Sequence, residues 1–413
     1  MTMTIETPTT LLSAAGARED RSRGFGKTST QASGSIPLLG GAPSPDLLPL
    51  EQIRRASAEL TADPQALADA LQYSVPTGRS ALRAWAAARE GVCEDRVLIT
   101  NGAFHGLSLL FEALLDPGDA LIAEDPTYPL VFRNLQHKEP EIIPLRLGPD
   151  GFDIEALRAR LATGVRPKLL YTVPDFHNPT GFVTPPEQRQ HLLQLAEHYG
   201  FVVVSDNAYH GLGFGGAAPA DYPLDSDRVA HVRTFSKVLG PGLRLGWLVL
   251  PEWLVGPVAR LRANQDQHSS VLTQAVVERV VGAGDFDAVG SATDASGFDA
   301  IASTARSAYA ERFDLVAGIL DDTVPGGIEI DHRTGGIFLW ARLRDQQIDL
   351  ETAQQLARRT YGTDAVLGRY FFRDRPHDDR SSLRIGISHL ETSRLRVGAE
   401  RLANALADPK ARR

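Results

Sequence analysis

From about Leu47 onward, the apolar positions of this chain switch between two spacings. Leu107, Leu110, Phe111, Leu114 and Leu115 recur at helical intervals, and Asp116-Pro117-Gly118-Asp119 ends the run. Short apolar runs then follow at Ala120–Ala123, Lys168–Val173, Phe201–Asp206, Val229–Phe235 and Trp247–Leu250. A helical stretch over Glu187–His198 lies among them. Short apolar strands separated by helices predict an α/β domain with a largely parallel sheet. Residues 282–297, rich in Gly, Ala, Asp and Ser, read as a loop between domains. Beyond them Ile301, Ala305, Tyr309, Val316 and Leu320 mark a long helix. Gly335–Leu343 and Leu383–Ser388 alternate as strands. In the second, Leu383, Ile385 and Ile387 share one face, and Arg384, Gly386 and Ser388 the other. This predicts a smaller α+β domain from about 290 to 413. Residues 1–35 show no apolar period and are expected to form a mobile or loosely docked arm. Glu6, Glu19 and Asp20 argue against a transit peptide there.

Composition narrows the class. The 413 residues carry a net charge of −8, which disfavours a broad surface for nucleic acid or anionic membrane. Cys93 is the only cysteine, so no intramolecular disulfide and no cysteine metal cluster can form. No run reaches the ~18 apolar residues of a membrane span, and no secretory signal opens the chain. The reading is a soluble cytoplasmic protein without a metal site. Lysines are confined to Lys27, Lys138, Lys168, Lys237 and Lys410, so an amine nucleophile has few candidates.

Five segments could carry chemistry, each with a plainer reading beside it. Thr234-Phe-Ser-Lys237 and the glycine-rich stretch to Arg244 and Gly246 follow a predicted strand. Lys237 could condense with an aldehyde, with Thr234, Ser236 and Arg244 as phosphate donors; a solvated surface loop is the alternative. Asp206-Asn207-Ala208-Tyr209 begins at a strand's carboxyl end, where α/β ligands gather. Asp206 could hold a ring nitrogen protonated, or simply cap the next segment. Asn178-Pro-Thr-Gly181 is a turn sequence that again falls just past a strand. Gly102, leading into the helix near Phe104, could expose amides to an anion or form an ordinary turn. Tyr128 could lie on a flat ring or pack in the core. Gly211-Leu-Gly213-Phe-Gly-Gly216 matches the dinucleotide fingerprint, but Pro219 and Pro223 follow where a helix must open, so it is rejected. His191 and His198 have no further ligand cluster and read as solvated or packing residues.

Taken in order, these segments resemble the fold-type I pyridoxal-phosphate enzymes. The likeness is to the class I/II aminotransferases, in the branch with the aminoadipate and multi-substrate aminotransferases. It runs from about Leu38 to Leu406, with 28 residues from Asn178 to Asp206 and 31 from Asp206 to Lys237. The resemblance implies a large domain over 61–285 with a mostly parallel, seven-stranded-type sheet. It also implies a small domain over 290–413, joined by an N-terminal segment over 36–60. Pyridoxal phosphate is the implied cofactor. Lys237 would condense with its aldehyde and later carry a proton. Asp206 would pair with the pyridine nitrogen, Tyr209 and Asn178 would bond the phenolic oxygen, and Tyr128 would stack on the ring. Gly102, the amides of Ala103 and Phe104, Thr234, Ser236 and Arg244 would hold the phosphate. Tyr73 would reach the phosphate of the neighbouring subunit of a homodimer. Arg384, with Gly41 near it, would clamp the substrate α-carboxylate. Phe104-His105 and His177 depart from the Gln residues common in this branch and are expected to alter the substrate pocket.

The implied activity is transfer of an amino group from an L-amino acid to a 2-oxo acid. The alternative keeps the cofactor but breaks another bond, as in β-elimination from an S-substituted cysteine or decarboxylating deamination. A third class, a transcription regulator using this fold as a sensor, conflicts with the short arm and the negative charge.

Overall fold

The computed structural model describes residue 13 and residues 34–148, 150–215, 219–282, 297–373 and 381–413. The expected arm over 1–35 and the expected loop over 282–297 lie almost wholly outside them. The central sheet contains β1 (Val97–Thr100), β2 (Ala120–Asp125), β3 (Glu141–Gly148), β4 (Gly151–Phe152), β5 (Leu169–Thr172), β6 (Val202–Asp206), β7 (Val229–Thr234) and β8 (Gly246–Val249). Their spatial order is β1-β8-β7-β6-β5-β2-β3-β4. The run from β7 to β3 is parallel; β8 is antiparallel to both neighbours, and β4 is a two-residue hairpin partner of β3. The sheet is thus the expected seven strands plus this short hairpin.

The apolar runs form strands because both faces are covered. Leu169, Tyr171, Val202 and Val204 face one core with Leu107, Leu110 and Phe111 of the helix Ala103–Leu114. The intervening Leu170 and Val203 face the other, with Leu192, Leu195 and Ala196 of the helix Pro186–Tyr199. The parallel strands end on one edge, where Thr100, Asp125, Thr172, Asp206 and Thr234 close β1, β2, β5, β6 and β7.

The smaller unit holds an antiparallel sheet of β9 (Ile328–Asp331), β10 (Phe338–Leu343), β11 (Val366–Leu367) and β12 (Ser382–Gly386), in the order β9-β10-β12-β11. The strand expected from Gly335 begins at Phe338, because Gly335 and Gly336 are pressed against the Phe176 ring. Ile36–Pro37 pairs in parallel with Thr363–Asp364, and Gly386 donates to the Leu38 carbonyl at 2.8 Å. The helix Leu50–Ala62 instead packs Leu60 against Ala275 of the helix Val271–Val281. Buried Arg312, from the helix Phe298–Thr323, donates to Ser44 Oγ and Asp46 Oδ2, both at 2.7 Å, and joins these parts. No described helix is long and apolar enough to cross a membrane.

One close approach positions the site. A Cβ added at Gly246 would stand 2.5 Å from the Arg233 carbonyl oxygen and 3.2 Å from the Ala103 nitrogen. Both are backbone atoms that cannot swing aside. Gly246→Ala is therefore expected to cost about 1–3 kcal/mol by overpacking, seen as a lower urea midpoint of the cofactor-free protein. An unchanged midpoint would show that β7 and β8 can part freely.

Candidate active site

The strand ends and the small sheet enclose a cavity of about 310 Å³. Asp206, Tyr209, Thr234, Ser236, Lys237, Asn178, Tyr128, Ala103, Phe104 and Arg244 line it from the large unit, and Leu39, Gly41, Phe338 and Arg384 from the other side. Asp206 ends β6 and is buried. Tyr171 donates to its Oδ2 at 2.9 Å, and no described residue donates to its buried Oδ1. Burial pushes the Asp206 carboxyl up to about 6, against the Tyr171 hydrogen bond and the Lys237 charge.

Lys237 lies in the loop between β7 and β8, and its Nζ donates to the Gly41 carbonyl at 2.6 Å. Burial lowers its ammonium to about 8; Asp206 opposes this, while Arg384 and Arg244 add to it. Asn178 Nδ2 donates to the Tyr209 hydroxyl at 3.3 Å, and Asn178 Oδ1 accepts from Arg384 Nη1 at 2.9 Å. Arg384 also donates to the Leu39 carbonyl at 3.0 Å, and its guanidinium lies 4.0 Å from the Phe338 ring centre. Burial lowers Arg384 to about 10. Tyr128 is pushed up to about 12, chiefly by burial.

A polar cup forms at one end of the cavity. Thr234 Oγ1 and Ser236 Oγ are 2.9 Å apart, and the Ser236 amide donates to Thr234 Oγ1 at 3.1 Å. The N-terminus of the helix Ala103–Leu114 closes it, with Gly102 as N-cap at φ +84°. A Cβ on Gly102 would stand 3.0 Å from Arg244 Nη2, inside the cup.

Tyr73 lies outside its own chain's cavity, 83% exposed and edge-on to His268; its implied role is toward a neighbouring subunit. Two other expectations change. His177 does not face the cavity either: it is buried behind it, 2.8 Å from Thr180 Oγ1 and 3.0 Å from Glu124 Oε2. The turn that aims Asn178 inward turns its neighbour outward. His105 likewise points back beneath the cup, while Phe104 does line the cavity.

Tyr171, Leu39 and Phe338 join the site unannounced by the sequence. Tyr171 sits in an apolar strand and reads as core; only its register opposite Val204, one pleat from Asp206, brings it to the carboxylate. Phe338 pairs with Gly386 and Trp340 with Arg384, which puts Phe338 and Arg384 on one face of the small sheet.

An acid, an amine and an anion cup at the carboxyl edge of a mostly parallel sheet, closed by an arginine from a second unit, define a fold-type I pyridoxal-phosphate enzyme. The chain belongs to the aminotransferase class I and II family, whose model matches residues 39–402. The 2-aminoadipate transaminase of Thermus thermophilus is 31% identical over 384 residues, 91% of each chain. Aromatic-amino-acid aminotransferase 1 of Thermococcus litoralis is 28% identical over 393 residues, 92% of this chain and 89% of that one. The crystal structure of the alpha-aminoadipate aminotransferase LysN from Thermus thermophilus, complexed with N-(5'-phosphopyridoxyl)-L-leucine, superposes with a TM-score of 0.80 at 29% identity. It covers 94% of this chain and 97% of that one. Pyridoxal phosphate is the cofactor of this chain and amino-group transfer its activity. The residues present fit that group, since the open Asp206 Oδ1 suits a ring N–H and the hydroxyl-lined cup suits a phosphate.

The electrostatics give a measurable consequence. In the cofactor-free protein, labelling by an amine-reactive reagent should show Lys237 titrating near pH 8 rather than at the ordinary 10.5. Asp206→Asn should move that midpoint lower, because the lost carboxylate is what favours the ammonium. A midpoint unmoved by the substitution would show that the two groups are not coupled.

Proposed function

We propose that this chain transfers the amino group of an L-amino acid to a 2-oxo acid, with Lys237 as the condensing amine and proton carrier. The observation that carries this is the buried, half-satisfied Asp206 sharing one cavity with a depressed Lys237. Pyridoxal phosphate, when bound, supplies an electron sink for the pair left when the substrate Cα–H bond breaks. Asp206 Oδ1 would accept the ring N–H and hold that proton. Tyr209 and Asn178 would bond the phenolic oxygen, with Tyr128 against the ring. Gly102, the Ala103 and Phe104 amides, Thr234, Ser236 and Arg244 would hold the phosphate. Arg384 would grip the α-carboxylate beside Gly41 and so orient the Cα–H bond for proton transfer. Lys237, whose ammonium burial makes easier to deprotonate, takes the Cα proton in its neutral form. The relatives described above are all named as transferases, and no observation favours elimination.

We further propose a homodimer in which Tyr73 of a second copy completes the phosphate cup. Leu71, Tyr73 and Val75 are all exposed in one short segment, an apolar stretch suited to covering by another chain. The same reading places the reaction in the cytoplasm and divides the chain near residues 60 and 290.

Borohydride reduction of the reconstituted protein should fix the cofactor on Lys237, and the unreduced enzyme should form 2-oxo acid with none of the thiol or carbon dioxide of the alternative reactions. Label on Lys168 would overturn the assignment. Arg384→Leu should raise KM for the amino acid by roughly 30- to 150-fold, from about 2–3 kcal/mol of lost charge-assisted bonding, with cofactor affinity little changed. For the shared site, Tyr73→Ala protein mixed with Lys237→Ala protein should exceed the activity of either alone, because one heterodimer site regains both residues. A monomer in sedimentation with full activity would remove Tyr73 from the site.

A further inference from the structure

His105 is the third residue of the helix Ala103–Leu114, whose N-cap, Gly102, has no side chain to bond the first free amides. Its imidazole reaches back instead: the Asn101 backbone N–H donates to His105 Nδ1 at 3.2 Å. In capping boxes this third position is filled by Glu or Gln for a comparable bond. A ring nitrogen that accepts a hydrogen bond carries no proton, so the hydrogen of His105 is on Nε2. Nε2 faces Asp266 Oδ2 at 3.9 Å.

Asn101 links this imidazole to the cup. Its side-chain Nδ2 donates to Asp266 Oδ2 at 2.5 Å, and its carbonyl accepts from Arg244 Nη2 at 2.9 Å. Arg244 Nη1 donates to a second backbone carbonyl, that of Pro241, at 3.2 Å. The place of this guanidinium is thus set by how those carbonyls are held. Asp266 is itself anchored by Arg262, which is fully buried, lies 2.5 Å away and bonds the Ile99 carbonyl and Ser269 Oγ.

We propose that His105, as the neutral imidazole, is a positioning residue for the phosphate cup, and that its protonation loosens the cup and releases the cofactor. This rests on the functional reading above. An imidazolium has no lone pair for the Asn101 N–H, so the bond that fixes Asn101, and through it Arg244, is lost. The charged groups facing His105 are Arg262 and Asp266 on and just beyond the helix Glu252–Gln265, and Arg244 in the loop before β8; Gln265 bonds it as well. Burial, first, and then Arg262 hold the imidazole below the ordinary histidine range, with Arg244 adding to this and Asp266 and Gln265 opposing. The acceptor is therefore present at neutral pH and disappears on acidification.

The test is equilibrium binding to the full-length cofactor-free chain between pH 5 and pH 8. The probes are pyridoxal 5'-phosphate and pyridoxal, which lacks the phosphate. In the wild type, affinity for pyridoxal phosphate should fall more steeply toward acid than in His105→Gln, whose amide oxygen accepts from Asn101 at every pH. Ionisation of the ligand phosphate and of Asp206 is common to both proteins and cancels in the comparison. His105→Leu should weaken pyridoxal phosphate tenfold or more at pH 8 and pyridoxal less than twofold. Equal acid slopes in wild type and His105→Gln, or equal losses of both ligands in His105→Leu, would overturn the proposal alone. A wild-type chain that takes up neither ligand would overturn the functional reading and this proposal with it. Where His105→Leu fails to fold, the two slopes decide by themselves.

Discussion

A carboxylate buried with one oxygen unanswered is the constraint to which the site conforms. Removing Asp206 from water favours its neutral form, and only nearby donors and cations hold it ionised. Tyr171 supplies a donor, and Lys237 and Arg233 supply positive charge. The same exclusion of water that raises Asp206 lowers Lys237 and Arg384. The acid, the amine and the guanidinium are thus tuned by one dry cavity, and water admitted there relaxes all three together.

The scaffold behind Asp206 keeps its neighbours from yielding. Asp175 is fully buried and bonds Arg189 at 2.5 Å, Asn207 at 2.7 Å and His210 at 2.8 Å. Asn207 follows Asp206, and Asp175 stands three residues before Asn178, so one buried charge holds two walls of the cavity. Arg189 continues the web to the Pro174 and Thr184 carbonyls. Beneath it Arg233 bridges Glu90 and Asp221, and Trp247 donates to Glu90. Removing one partner from such a web leaves a charge uncompensated, which is far more costly than replacing the pair.

What was legible in the sequence follows from what repeats locally. The parallel strands read plainly because burial on both faces demands continuous apolar residues, as in Val202–Val204. Lys237, Asp206 and Asn178 were legible because each sits at a strand end, where the chain must change character. β3 was not legible: Pro144 breaks its pattern, and it is accommodated because the outer side of β3 is paired only at Leu147 and Gly148. Tyr171 and Phe338 were hidden because cross-strand register, not composition, gives them their roles. His177 was misread for the same kind of reason, since adjacency to Asn178 says nothing about which way a turn points. Tyr73 stands apart because its implied role needs a second chain.

The antiparallel setting of β8 has a consequence for how the site comes into being. Thr234 pairs with Gly246, so one hairpin carries Thr234, Ser236, Lys237 and Arg244 within thirteen consecutive residues. Closing so short a loop sacrifices little chain entropy. Asp206 and Asn178 join through strand crossovers, and Arg384 arrives from 147 residues beyond Lys237. Lys237 and much of the polar cup are therefore local contacts, available early in folding, whereas Asp206 and Arg384 reach the cavity through long-range topology. A chain that has closed this hairpin alone already holds Lys237 beside Thr234 and Ser236, before Asp206 or Arg384 stands near it.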